Sequence, residues 1–182
     1  MKAIILAGGQ GTRLRPVIGD DLPKCMAPVM GRPVITFVIN RMKKFGITDI
    51  TLALGYKAEA VIKKFGHMKY KIESEPLGTG GAIKNCIEDD EPIIISNSDT
   101  ICPIDYADMM KNHIPPLTIA VNEHGISAGI YILNPEIFDE YEGAFSFEHD
   151  VIPNVAHCTY ETPWFSDIGT PEEYAKHTKV WI

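Results

Sequence analysis

No stretch of this 182-residue chain is apolar for long enough to cross a membrane. Residues 1–6 run straight into glycines, without the apolar core or small-residue cleavage site of an export signal. A membrane partner is therefore not expected, and the expected location is the cytoplasm. Cysteine is sparse: Cys25, Cys86, Cys102 and Cys158 stand apart, with no CxxC pair and no matching histidine spacing, which argues against a disulfide framework and a zinc site. They read as reduced residues in or near the core. Cations are outnumbered, 17 Lys and Arg against 24 Asp and Glu. The formal charge of −7 argues against a nucleic-acid partner, because duplex affinity comes from clustered cations on phosphates. No repeat, low-complexity segment or compositional shift marks a boundary, so one domain over residues 1–182 is expected.

What the chain does have is enough apolar residue, 45%, to bury a real core. Continuous apolar runs at 3–7, 50–54, 93–96, 117–121 and 129–133 read as strands covered on both faces, the mark of a mostly parallel sheet. Helical spacing falls between them. In 34–45, Ile35, Val38, Ile39, Met42 and Phe45 form a stripe with Arg41, Lys43 and Lys44 off it. Shorter helices are expected over 58–65, 80–87 and 105–112, and Pro171-Glu172-Glu173 opens a last one with proline and acids in the first turn. Alternating strands and helices predict an α/β fold, a three-layer sandwich around a mostly parallel central sheet.

The first strand leads directly into Leu6-Ala7-Gly8-Gly9-Gln10-Gly11-Thr12-Arg13-Leu14-Arg15-Pro16. Glycines there let the backbone turn sharply and approach a ligand, while successive N–H groups form a concave anion site. The segment is not a Walker A loop, lacking Gly-Lys-Ser, nor a dinucleotide fingerprint, since Leu14 stands where the third glycine belongs. It carries arginine inside the turn instead. Arg13 can grip phosphate oxygens bidentately, and Lys24, behind Leu22-Pro23, adds a point charge from a second segment. Against the low overall charge, Arg13, Arg15 and Lys24 within twelve residues predict a focused pocket for a polyanionic small molecule. The bland alternative is a surface turn with solvated cations.

The segment LAGGQGTRLRP followed by LPK resembles the signature of the sugar-1-phosphate nucleotidyltransferases. Gly55-Tyr56-Lys57-Ala58-Glu59, Glu75-Pro76-Leu77-Gly78-Thr79-Gly80-Gly81-Ala82-Ile83, Ser146-Phe147-Glu148 and Asp167-Ile168-Gly169-Thr170-Pro171-Glu172-Glu173-Tyr174 resemble its D-glycero-D-manno-heptose 1-phosphate guanylyltransferase branch. The resemblance implies a glycosyltransferase-A-like fold and transfer of NMP from an NTP to a phosphorylated acceptor, with release of pyrophosphate and a role in polysaccharide or capsule precursor synthesis. It implies nucleotide contacts from Leu6, Ala7, Gly8, Gly9, Gly11, Thr12, Glu73, Gly78 and Thr79, and acceptor contacts from Gly129 and Glu148. Catalysis falls to Arg13, Lys24 and Asp99, and Mg²⁺ to Asp99 and Asp167.

Residue chemistry supports parts of that set. Asp99 follows a buried strand at the carboxyl edge of the sheet, where a carboxylate can hold Mg²⁺ against phosphate oxygens. Read alone, Asp99 could equally cap a helix and Asp167 shape a turn. A carboxylate at Glu73 can only accept hydrogen bonds, which suits the adjacent N1–H and N2–H donors of guanine better than cytosine or uracil, so GTP is favoured. The alternative is a solvated acid at the end of a strand. An acceptor phosphate with a second pKa of about 6 is largely dianionic and needs no general base, in keeping with the lack of a Ser/His/Asp arrangement. His67, His113, His124, His157 and His177 stand singly, and Glu148-His149-Asp150 reads as a solvated face.

The chain departs from the family pattern between Asn112 and Ser127, where relatives of this kind carry a longer stretch with a Glu-Lys step toward the sugar phosphate. Ser127, Ser98 and Cys25 also replace a common asparagine, glycine and proline. Three readings stay open: a different acceptor, including a non-sugar phosphate with CTP; an acceptor site completed by a second subunit in a homo-oligomer; or a nucleotide-binding regulatory protein without activity.

Overall fold

The computed structural model describes residues 1–178. Strand β1 (Lys2–Leu6) enters the glycine loop and a short helix, α1 (Arg15–Ile18), and a 3-10 turn at Lys24–Met26 leads into a small hairpin, β2 (Pro28–Val29) and β3 (Arg32–Pro33). Helix α2 (Ile35–Lys44), β4 (Asp49–Leu54), α3 (Ala58–Phe65), β5 (Lys69–Ile72), α4 (Gly78–Cys86) and β6 (Ile93–Asn97) follow in strict alternation. After β7 (Thr100–Ile101) and α5 (Tyr106–Lys111) come β8 (Leu117–Val121) and β9 (Ser127–Leu133), then β10 (Cys158–Glu161), β11 (Ser166–Asp167) and α6 (Pro171–Thr178).

Seven strands form the central sheet in the order β10-β8-β9-β6-β1-β4-β5. β6-β1-β4-β5 run parallel, as does β10 with β8, whereas β9 is antiparallel to both its neighbours. The expectation of a mostly parallel sheet therefore holds, and its exception lies where β8 and β9 are joined by a tight turn rather than a crossover helix. Side chains alternate across β1. Ala3, Ile5 and Ala7 join α2, α3 and α5 in one buried cluster. Ile4 packs on the opposite face with Ile83 and Cys86 of α4 and with Phe138, Phe145 and Phe147. Both faces are covered, which is why these strands read as unbroken apolar runs.

A third cluster matters more for function. Leu14, Ala27, Val29 and Val34 pack with Ile168 and Tyr174, so the glycine loop and the hairpin are clamped to the C-terminal segment. The helix expected over 80–87 starts earlier, at Gly78, and ends at Cys86. The strand expected over 129–133 starts at Ser127. Three cysteines are buried, the fourth is half-buried, and all four are free. Among the described residues no helix is long and apolar enough to cross a membrane.

Candidate active site

Because β1, β4 and β6 are parallel, their carboxyl ends share one edge of the sheet, and the loops leaving them meet there. A cavity of about 400 Å³ opens at this edge, between the glycine loop (Gly8, Gly9, Gln10), Gly55-Tyr56 after β4, residues 73–76, and the start of α4 at Gly78 and Thr79. Leu6, Gly8, Gly9, Glu73, Gly78 and Thr79 line it, six of the residues expected at the nucleotide. Ala7, Gly11 and Thr12 do not. Ala7 extends the β1 ladder, donating its N–H to Ala53 O at 2.8 Å with its side chain in the core. Thr12 is exposed on the following turn. Gly11 has φ +59°, and a Cβ on it would fall 2.5 Å from Lys24 Cβ, so it is the docking point of the lysine segment.

Docked there, Lys24 reaches two carboxylates that, like Lys24 itself, do not line the cavity. Its Nζ touches Asp99 Oδ2 and lies 3.5 Å from Asp167 Oδ1. Two features join these acids, which are 68 positions apart in the chain. β11 pairs with β7, setting Asp167 opposite Thr100, and Ile168 donates its N–H to Asp99 O at 3.0 Å. Ile168 itself is fully buried in the cluster beneath the glycine loop. Asp99 is 5% exposed and its Oδ2 accepts no well-directed hydrogen bond, so the lysine is a charge contact and not a satisfied partner. Burial pushes the Asp99 carboxyl up to about 6; Lys24 opposes the rise and the neighbouring Asp167 carboxylate adds to it. Among the described residues no group of three or more His, Cys, Asp and Glu is arranged to hold a metal by itself.

Arg13 is not brought into this cluster. It is exposed beside the loop and makes no ion pair among the described residues. Arg15 is occupied elsewhere, donating to Gln10 Oε1 at 3.3 Å and stacking on Tyr56 with Cζ 5.1 Å from the ring centre.

Glu73 turns inward. Its Oε2 accepts the Leu77 N–H at 3.1 Å, and Oε1 faces the backbone of Gly8 and Gly55 on the cavity floor. It is not the solvated strand end that its sequence position also allowed. Of the residues expected at the acceptor, Glu148 is the second residue of a π-helical turn, Phe147–Val151, capped by Ser146 Oγ accepting the His149 N–H at 3.2 Å. Thr79 Oγ1 donates to Glu148 Oε2 at 2.6 Å while accepting the Phe147 N–H at 2.9 Å. Glu148 therefore points back to the cavity rim, whereas His149 and Asp150 are exposed. Gly129, at φ +66°, packs against the Asn97 side chain at the end of β6, and Ser127 Oγ accepts its N–H at 3.1 Å. Sequence reasoning gave no site role of their own to Gly55, Tyr56, Gln10 and Asn97. Gly55 could have been found, because it ends a buried parallel strand next to the glycine loop.

A strand-borne glycine loop, a cavity at the carboxyl edge and a carboxylate pair touched by a lysine define a site for phosphate-bearing ligands. The family model described as nucleotidyl transferase matches residues 2–121, and the chain belongs to that family. Its relatives include the D-glycero-alpha-D-manno-heptose 1-phosphate guanylyltransferases of Aneurinibacillus thermoaerophilus (33% identical, 98% of this chain and 97% of the relative covered) and Campylobacter jejuni (34%, with 96% and 97% covered). The crystal structure of HddC from Yersinia pseudotuberculosis complexed with GMP-PN superposes with a TM-score of 0.85, at 32% identity and covering 98% of each chain. The fold is the glycosyltransferase-A-like one that the motifs implied. The Aneurinibacillus alignment runs over 225 positions against 182 residues here, so at least 43 positions of the relative have no counterpart.

Proposed function

We propose that this protein is a single-domain, Mg²⁺-dependent guanylyltransferase that joins GMP from GTP to a sugar 1-phosphate and releases pyrophosphate. One observation carries the reading: the glycine loop joins two environments, Gly8 and Gly9 walling the cavity that holds the Glu73 carboxylate and Gly11 docking the lysine of the Lys24–Asp99–Asp167 cluster. A base and its phosphates need those two environments side by side. Glu73 keeps Oε1 and a second lone pair on Oε2 to accept from guanine N1–H and N2–H, while Leu77 holds it in place.

The carboxylate pair suits Mg²⁺. The buried Asp99 oxygen has no directed hydrogen bond beyond its charge contact with Lys24, and one or two carboxylates are what Mg²⁺ takes when phosphates supply other ligands. Asp99 and Asp167 would hold the ion, whose contribution is to neutralise triphosphate charge as it shifts toward the leaving pyrophosphate. The chain's own groups do the rest. The glycine loop presents N–H groups to the phosphates, and Lys24 and Arg13 stabilise the charge that develops on them. Thr79 and Glu148, tied together at the rim, and Gly129 position the acceptor. An oxygen of its phosphate dianion forms the new bond to the α-phosphorus. The bond to the bridging oxygen breaks, and its electron pair leaves on pyrophosphate. No proton moves, so positioning and electrostatics supply the rate.

The guanylyltransferase relatives and the GMP-PN complex of a similar chain support GTP. The shortened segment favours a second reading for the acceptor alone, a phosphorylated molecule other than heptose. Four free cysteines agree with a cytoplasmic enzyme. Pyrophosphate release over a panel of NTPs and phosphorylated acceptors with Mg²⁺ tests the proposal. Release with GTP and heptose or mannose 1-phosphate is expected; GTP binding without release for any acceptor would make the protein a nucleotide-binding regulator.

A further inference from the structure

Glu73 reaches the cavity floor only because one neighbour has no side chain. A Cβ built on Gly55 would overlap Glu73 Oε1 and lie 2.9 Å from its Cδ and 3.1 Å from its Cγ; these three atoms of one side chain are its nearest neighbours. The collision involves no backbone. Gly55 also lacks the positive φ seen at eight other glycines, so an L residue fits its backbone without strain. Other contacts hold the main chain around it: Tyr56 N donates to Gly8 O at 3.1 Å, Ala58 N to Gly55 O at 3.2 Å, and Glu73 N to Leu54 O at 3.0 Å. A methyl at position 55 would therefore leave the fold in place and push the flexible carboxylate off the floor.

We infer that Gly55 is a specificity-determining position of this enzyme, a gap that lets Glu73 lie flat beneath the base. It acts through Glu73 and touches no reacting atom, so it is a positioning residue. The inference rests on the guanine reading of Glu73 proposed above. Its physical content is a division of labour. Gly8 lacks a side chain because the backbone at Gly55 N would stand 3.0 Å from its Cβ, which is a matter of loop closure. Gly55 lacks one because a carboxylate occupies the space. A hydrogen bond to a charged group is worth enough to make the loss visible as about ten- to a hundredfold in relative kcat/KM.

The test is a cycle of Gly55→Ala, Glu73→Ala and the double variant, each assayed for kcat/KM with GTP and with UTP at saturating acceptor, and for thermal unfolding. Gly55→Ala is expected to lower the GTP:UTP ratio by about ten- to a hundredfold in the wild-type background. In the Glu73→Ala background, where the three atoms nearest the methyl are gone, it should change neither the ratio nor the unfolding temperature. An unchanged ratio for Gly55→Ala with wild-type Glu73, or the same drop in both backgrounds, overturns the inference while leaving Glu73 as base reader. A Glu73→Ala ratio equal to wild type instead removes the guanine reading, and Gly55 with it.

Discussion

The two sides of the cleft are charged in opposite ways. Residues 1–111 carry 15 of the 17 lysines and arginines, and the segments that build the glycine loop and its lysine belong to them. Residues 112–175, which supply β8 to β11, Gly129, Glu148 and Asp167, hold eleven acids and not one lysine or arginine. A phosphate arriving on that side meets no cation of its own. On the proposed reading it would be received by Lys24, by Arg13 and by an ion held between Asp99 and Asp167, the same groups proposed to serve the triphosphate. On the same reading Glu148 and Ser127, with Asn97 of β6, suit the hydroxyls of a sugar, and the Glu148 carboxylate would repel a second anion. The proposal thus makes anion binding an N-terminal property of the chain and recognition of the acceptor's hydroxyls a C-terminal one.

Removing the shared centre should do most damage. Asp99→Asn is expected to cut pyrophosphate release by at least about 1000-fold with any acceptor, measured at saturating Mg²⁺; near-normal turnover would strip Asp99 of its ion-holding role. Arg13→Ala comes next, at about 100-fold in kcat/KM. It should raise KM for nucleotide and acceptor together, since the acceptor side has no cation to compensate. A change confined to GTP would reveal an acceptor cation that the charge distribution does not predict.

Glu148→Gln should act on one side only. We expect the acceptor KM to rise about tenfold while the GTP KM stays put, given the usual strength of a hydrogen bond to a charged group; equal changes in both would erase the division drawn here. The smallest effect concerns pH. Burial raises the Asp99 carboxyl from its ordinary 3.8 to about 6, so the folded, metal-free protein holds this proton more tightly than the unfolded chain. The stability it lends is full below about pH 4 and is lost as pH rises to about 6. Denaturant midpoints of wild type minus those of Asp99→Asn should fall across that window in EDTA. A flat difference would mean that Lys24 fully compensates the buried charge.

Much of the nucleotide side was legible because it is local. The strand, the glycine turn and Arg13 are contiguous, and helix α2 announces itself by a stripe repeating at helical spacing, found within one residue of each end. Asp99 was legible as the residue after a buried strand. Asp167 was named through family resemblance alone, since nothing near it in the chain speaks of Asp99. The two-residue strand β11 and the buried Ile168 that bring it there are too short to show a period. Gly55 was quoted as part of a motif, but its purpose depends on where a side chain eighteen positions later comes to rest.

By itself, the sequence determined the alternation of strands and helices, the anion-binding turn and the charge of each half, because propensity, periodicity and composition are properties of neighbouring residues. Only the tertiary structure decided that Lys24 docks on Gly11 and touches two distant acids, that Glu73 folds over Gly55 instead of into solvent, and that Glu148 turns back to Thr79. Those outcomes depend on through-space packing and on which buried polar atoms find partners, and both are set when the sheet closes.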